Sequence, residues 1–99
     1  MTPKAYLVAQ IRIHDPGGYE AYRSRTRAIV ESFGGRFLVR GGALHRLEGE
    51  ADCERLVIIE FPNLDAAQAF YRSGEYQEIV PHRTANSDGM LLIAEGAPD

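Results

Sequence analysis

Nine side chains in this sequence carry the chemistry of a small-molecule site: Tyr19, Tyr22, Arg36, His45, Glu60, Tyr71, Tyr76, His82 and Arg83. A guanidinium beside phenols suits a small anionic or aromatic acid, because its planar fork binds a carboxylate at two points. A glutamate or a histidine can move a proton where its surroundings shift its pKa. Glu60 and His82 are therefore the candidate catalytic groups. Tyr22, Arg36, His45, Tyr71 and Arg83 are the candidate ligand-binding groups. Each has a packing alternative. The tyrosines can anchor helices on a sheet, Glu60 can pair with arginines, and Arg83 can cap helix carbonyls.

Other chemistries lack their signatures. His14, His45 and His82 show no metal-ligand spacing, and the carboxylates add no facial triad, so no metal is expected. There is no G-x-S-x-G elbow, phosphate loop or dinucleotide fingerprint, and no cofactor is expected. "GGRFLVRGG", Gly34 to Gly42, is rich in glycine, but its glycines flank a strand instead of opening a helix.

These residues need elements to position them. "KAYLVAQIRI" reads as a strand from about Lys4 to Ile13, with Leu7, Ala9, Ile11 and Ile13 on one face and Tyr6, Val8, Gln10 and Arg12 on the other. "HDPGGYEAYRSRTRAIVESFGG" reads as a helix capped by Asp15, with Pro16 in its first turn and Gly34 or Gly35 ending it. "RFLVR" is a second strand. Alternation puts Arg36, Leu38 and Arg40 on one face, and the strand is expected to bend at Gly41 and Gly42 and run to about Leu47. "RLVIIEF" is a third strand, with Leu56, Ile58 and Glu60 sharing a face. "PNLDAAQAFY" is a second helix capped by Asn63; helix resumes in "SGEYQEIVPHR" and is expected to stop near Pro81. After the loop "TANSDG", "MLLIAEG" is the fourth strand.

The order strand, helix, strand, strand, helix, strand predicts an α+β fold: a ferredoxin-like βαββαβ protomer, a four-stranded antiparallel sheet with two helices on one face. The other face is then uncovered, apolar in its middle and charged at its rim. A second copy related by a two-fold axis is its simplest cover. Val8, Arg12, Leu38, Arg40 and Ile58 are the candidate dimer-interface residues, with Glu60 as the counter-charge for the arginines.

Bulk properties narrow the classes further. Ninety-nine residues make one domain. A net charge of −3 argues against a nucleic-acid partner. No apolar run approaches the roughly 20 residues of a membrane span, and the N-terminal segment is no secretory signal. The single cysteine, Cys53, excludes an internal disulfide and reads as a loop residue without a role, in keeping with the reducing cytoplasm.

The stretches "DPGGYEAYR", "GGRFLVRGG" and "VIIEFPNLDAAQAFYRSGEYQ", with the following Arg83, resemble the uncharacterised bacterial family called domain of unknown function 1330. That resemblance covers nearly the whole chain. It implies membership of the dimeric α+β barrel superfamily, whose protomers pair through their sheets. Members of that superfamily include monooxygenases acting without metal or flavin, haem-degrading enzymes, muconolactone isomerases and stress-responsive dimers, so the resemblance implies no single reaction. The family's second helix commonly carries an aromatic pair with tryptophan; here the pair is Phe70 and Tyr71. The functional expectation is a cytoplasmic homodimer binding a small organic molecule near the dimer seam, with cofactor-independent proton transfer or oxygenation if it catalyses. The alternative is a non-catalytic stress-response or scaffold module.

Overall fold

A computed structural model describes residues 2–50 and 54–98. Cys53 lies outside the described residues. The elements are β1 (Ala5–Ile13), α1 (Pro16–Ser32), β2 (Arg36–Arg40), β3 (Arg55–Phe61), α2 (Leu64–Arg72), α3 (Gly74–Thr84) and β4 (Ser87–Glu95). The strands form one antiparallel sheet in the order β2-β3-β1-β4, and the chain is an α+β ferredoxin-like fold with its second crossover split into two helices.

Local chemistry sets the helix ends. The Asp15 carboxylate accepts from the Gly18 amide at 3.1 Å, and Pro16 fills the first turn. Gly34, at φ 78°, takes the left-handed conformation that ends α1, and the Gly35 amide returns to the Val30 carbonyl at 3.0 Å. Asn63 caps α2 by accepting from the Ala66 amide at 2.8 Å. Ser73 closes α2 and opens α3, its hydroxyl accepting from the Tyr76 amide at 3.2 Å.

The core lies between the sheet and the helices. Leu7, Ala9 and Ile11 from β1 and Val57, Ile59 and Phe61 from β3 meet Tyr19, Tyr22 and Val30 of α1 and Phe70, Tyr76 and Ile79 of the second crossover. Phe70 is fully buried, its ring 4.4 Å from Tyr76, 5.3 Å from Phe61 and 6.2 Å from Phe33. No described helix is long and apolar enough to cross a membrane.

Five expectations are corrected. β2 stops at Arg40, and residues 41–50, exposed throughout, form no strand. The irregularity expected at the second glycine pair falls inside the strand instead: Phe37 pairs with Ile59, but Val39 pairs with Ile58 and Arg40 with Val57. One extra residue at Leu38 reverses the alternation beyond it, so Arg40 joins the helix side of the sheet and not the open face. α3 runs through Pro81 to Thr84, because proline removes one hydrogen bond while the last turn is held by other means: the Asn86 side chain and the Ser87 hydroxyl donate to the carbonyls of His82 and Arg83. β4 begins at Ser87, inside the expected loop, where Ser87 pairs with Ile13.

Candidate functional site between sheet and helices

The aromatic face of α1 builds the site. Tyr19, Tyr22 and Thr26 recur at helical spacing and are buried against the sheet. The Tyr22 hydroxyl lies 2.7 Å from that of Tyr76, which α3 brings in from 54 residues away. Burial raises both phenols above their ordinary pKa, and for Tyr22 the neighbouring Tyr76 adds to the shift. The Arg83 guanidinium, about two turns further along α3, stands 5.7 Å from the Tyr22 ring centre, and its charge draws Tyr76 partly back down. Arg83 Nε is buried without a hydrogen-bond partner.

Arginines enter from the strands. The Arg40 Nη2 donates to the Arg23 carbonyl at 2.8 Å, and the guanidinium stacks 4.2 Å from the Phe37 ring centre. Burial lowers its pKa, and the charges of Arg23, Arg55 and Arg27 lower it further. Arg55 lies across Gly41, which at φ 73° has no Cβ to meet the guanidinium. Gly41 thus gives Arg55, at the start of β3, room to lie over the end of β2.

Tyr19, Tyr22, Thr26, Tyr76, Arg40 and Arg55 share one cavity of about 20 Å³, room for about one water molecule; Arg83 is outside its lining. Its polar lining is Tyr19, Tyr22, Arg23, Thr26, Arg40, Arg55 and Tyr76; its apolar walls are Leu7, Ala9, Ile11, Phe37, Val57 and Ile59. No carboxylate and no imidazole is among these residues.

The other candidates lie apart from it. Glu60 is on the open face, where Arg36 Nε donates to it at 2.9 Å, the Tyr6 hydroxyl at 3.3 Å and Lys4 Nζ at 3.5 Å. Partial burial pulls this carboxyl upward, but the hydrogen bond and charge of Arg36, then Lys4 and Tyr6, outweigh it and hold the carboxyl below its ordinary range. His82 is exposed on α3, and His45 is exposed in residues 41–50, beside a surface hollow that Gln10 and Leu56 also line. Tyr71 is 40% exposed and packs its ring 5.7 Å from that of Tyr76. The fold therefore gathers Tyr22 and Arg83, and separates Arg36, His45, Glu60 and His82 from them. Of the interface candidates, Val8 and Ile58 are half-buried on the open face, Arg12 and Leu38 are exposed, and Arg40 is on the opposite side. Sequence reasoning missed Arg55 and placed Arg40 elsewhere. The signal for Arg55 was Gly41, whose missing Cβ leaves room for its guanidinium; no sequence signal gave the Leu38 bulge that moves Arg40. Among the described residues no cluster of three or more His, Cys, Asp or Glu gathers.

A model of the domain of unknown function 1330 family matches residues 4–97. The chain belongs to this family. Its fold is shared by solved structures of low identity. A protein of unknown function from Rhodopseudomonas palustris, RPA0582, is 22% identical, with a TM-score of 0.79 covering 100% of this chain and 86% of that one. SnoaB from Streptomyces nogalater, a cofactor-independent oxygenase, is 16% identical, with a TM-score of 0.62 covering 99% and 97%. A dimeric ferredoxin-like protein of unknown function from Jannaschia sp. CCS1 is 15% identical, with a TM-score of 0.64 covering 96% and 99%. No curated protein matches the chain.

Proposed function

We propose that this family member is a cytoplasmic homodimer, packed sheet face to sheet face, that holds a small organic anion between sheet and helices. The observation that carries the anion site is the charge of the cavity: Arg23, Arg40 and Arg55 line it, and no carboxylate does. The charges of Arg23, Arg55 and Arg27 oppose that of Arg40, and an anion beside Arg40 would relieve the opposition. The buried, unpartnered Arg83 Nε adds a second donor group behind the Tyr22–Tyr76 pair.

The dimer rests on the open face. Val8, Val39, Leu56, Ile58, Met90 and Leu92 make its apolar middle, and Met90 and Leu92 are 49% and 42% exposed. Its rim is balanced, with Arg36 and Lys4 on Glu60, Arg12 at 3.7 Å from Glu54 and His14 at 4.0 Å from Asp88. A neutral, self-complementary face suits a second copy, and the Jannaschia protein with this fold is dimeric.

A thermal-shift panel of small aliphatic and aromatic acids against the protein tests the anion site. A ligand at about 100 times its dissociation constant stabilises by about 2.7 kcal/mol, a midpoint shift of roughly 10–20 °C in a domain this size. Selective shifts by acids support the reading; a flat panel with well-folded protein overturns it in favour of a scaffold module. A second reading, oxygenation of the bound molecule without cofactor, draws on the fold shared with SnoaB. Glu60 and His82 do not reach the cavity, so on this reading the bound molecule supplies its own acidic proton. Oxygen uptake in the presence of the acids that shift the midpoint is its measurement.

A further inference from the structure

Two segments at opposite edges of the sheet lack the neighbour that their sequence calls for. The first is residues 41–50, which leave the end of β2 and are exposed throughout. Their pattern favours a strand to about Leu47. The Gly41 amide still reaches the Leu56 carbonyl at 2.9 Å, but β3 has only Arg55 beyond it, so the segment runs out of strand to pair with. It leans over the open face, where Leu44 and Leu47 share a hollow with Gln10 and Leu56. Leu47 is 93% exposed, and at that exposure it adds almost nothing to the stability of its own protomer.

The second is the outer edge of β4. The order β2-β3-β1-β4 leaves that edge without a strand among the described residues. Residues 90–94 are an unbroken apolar run along it, and such an edge is a template for pairing with another chain. Beside it is a hollow of about 310 Å³ lined by Leu7, Tyr71, Leu91, Leu92 and Ile93, with no charged group among them. Three strand spacings, about 14 Å, separate β2 from β4 within one sheet. The two hollows accordingly share no residue.

A second copy on the open face brings the two together. A two-fold axis parallel to the strands places β2 of one copy over β4 of the other, with the sheets about 10 Å apart. Leu47 is six residues beyond Gly41, a reach of about 20 Å when extended, so it spans the gap. Area calls for the same contact. Strands of 9, 5, 7 and 9 residues cover roughly 25 by 19 Å, about 500 Å² on each copy and about 1,000 Å² in all, short of the roughly 1,200 Å² at which stable interfaces begin. We propose that residues 41–50 are an arm that embraces the second copy, laid along the outer edge of its β4 with Leu47 seated in the hollow beside Tyr71, Leu91 and Ile93. This rests on the reading of the protein as a sheet-to-sheet dimer. Two-fold symmetry repeats the contact, so each copy's arm covers the other's edge. Backbone groups of arm and edge then satisfy one another, and Leu47 leaves water.

The experiment is disulfide trapping in the full chain, with Cys53→Ser as the background and light scattering to give the wild-type mass. Leu47→Cys with Tyr71→Cys is oxidised and run on a denaturing gel without reductant. Beside it run Leu47→Cys alone and Leu47→Cys with Ser24→Cys, which is exposed on α1. Circular dichroism verifies folding, and Ile93→Cys, in the same hollow, replaces Tyr71→Cys if that variant does not fold. The expected result is a covalent dimer for the hollow pair only. Leu47→Ser should raise the dimer dissociation constant about tenfold or more and leave the circular dichroism unchanged, because its own protomer does not bury the side chain. A wild-type dimer in which the hollow pair does not trap, in which Leu47→Cys alone or the Ser24 pair traps as readily, or in which Leu47→Ser leaves the constant unchanged, overturns the arm and leaves the dimer standing. A monomeric wild type overturns the dimer and the arm with it.

Discussion

The two faces of this sheet keep their arginines in opposite company. On the open face Arg36 lies 2.9 Å from Glu60 and Arg12 3.7 Å from Glu54, each cation beside a carboxylate. On the helix side Arg40 has a backbone carbonyl, an aromatic ring and the fields of Arg23, Arg55 and Arg27. The first arrangement is electrically closed, so a second copy can cover it without stranding a charge. In the second, Arg23 has Glu20 at 3.3 Å and Arg27 has Glu31 at 3.6 Å, while Arg40 itself is held by a carbonyl and a ring and no carboxylate lines the cavity beside it. Two arginines four residues apart thus serve different ends because the strand between them changes face.

The largest test of the contrast is on the open face. Ile58→Glu puts a carboxylate in its apolar middle, and like charges meeting across an interface cost several kcal/mol. Light scattering at micromolar concentration should give a dimeric mass for the wild type and a monomeric mass for the variant; a monomeric wild type ends the two-face account. On the helix side, Phe70→Ala should cost about 3–5 kcal/mol in urea unfolding, because the ring is fully buried among Phe33, Phe61 and Tyr76. A loss below 1 kcal/mol would show that the core is not packed as described.

Gly41→Ala sharpens the comparison by moving an arginine without deleting it. The positive φ costs the variant about 1–3 kcal/mol, and the new Cβ displaces the Arg55 guanidinium. Acid binding should weaken while the dimer persists; unchanged binding would remove Arg55 from the site. The faces also differ in pH response. Tyr22 and Tyr76 are raised, so their contribution is fully present below the ordinary tyrosine pKa, about 10, and is lost as pH rises beyond it. Glu60 is depressed, so its contribution is present above the ordinary carboxylate pKa, about 4.3, and is lost as pH falls beyond it. Unfolding midpoints across pH should therefore fall at both ends, with two of the five tyrosines ionising only as the alkaline limb unfolds. Tyrosinate absorbance that develops fully in folded protein would contradict the buried pair. The smallest effect belongs to Arg25→Ala. The Arg25–Glu78 pair, 3.8 Å apart and exposed, should contribute no more than about 0.5 kcal/mol, and a loss above about 1 kcal/mol would show that it does more than tie α1 to α3.

The sequence by itself determined the element order, the caps at Asp15 and Asn63, and the two faces of β1 and β3. These follow from short-range rules: a carboxylate or amide reaching an amide three residues on, and side chains alternating with period two. It also pointed to Glu60 as the partner of Arg36, since both fall on one face by alternation before the bulge.

Only the tertiary structure decided the site. The bulge at Leu38 comes from how β2 pairs with β3, and a single added residue sends Arg40 to the other face. The meeting of Tyr22 with Tyr76 spans 54 residues and depends on α3 crossing α1. The continuation of α3 through Pro81 depends on side chains beyond the helix closing its last turn. Periodicity along a chain carries no information about registry between strands or about which helix packs where, because those are settled by the free energy of pairing and burial across the whole domain.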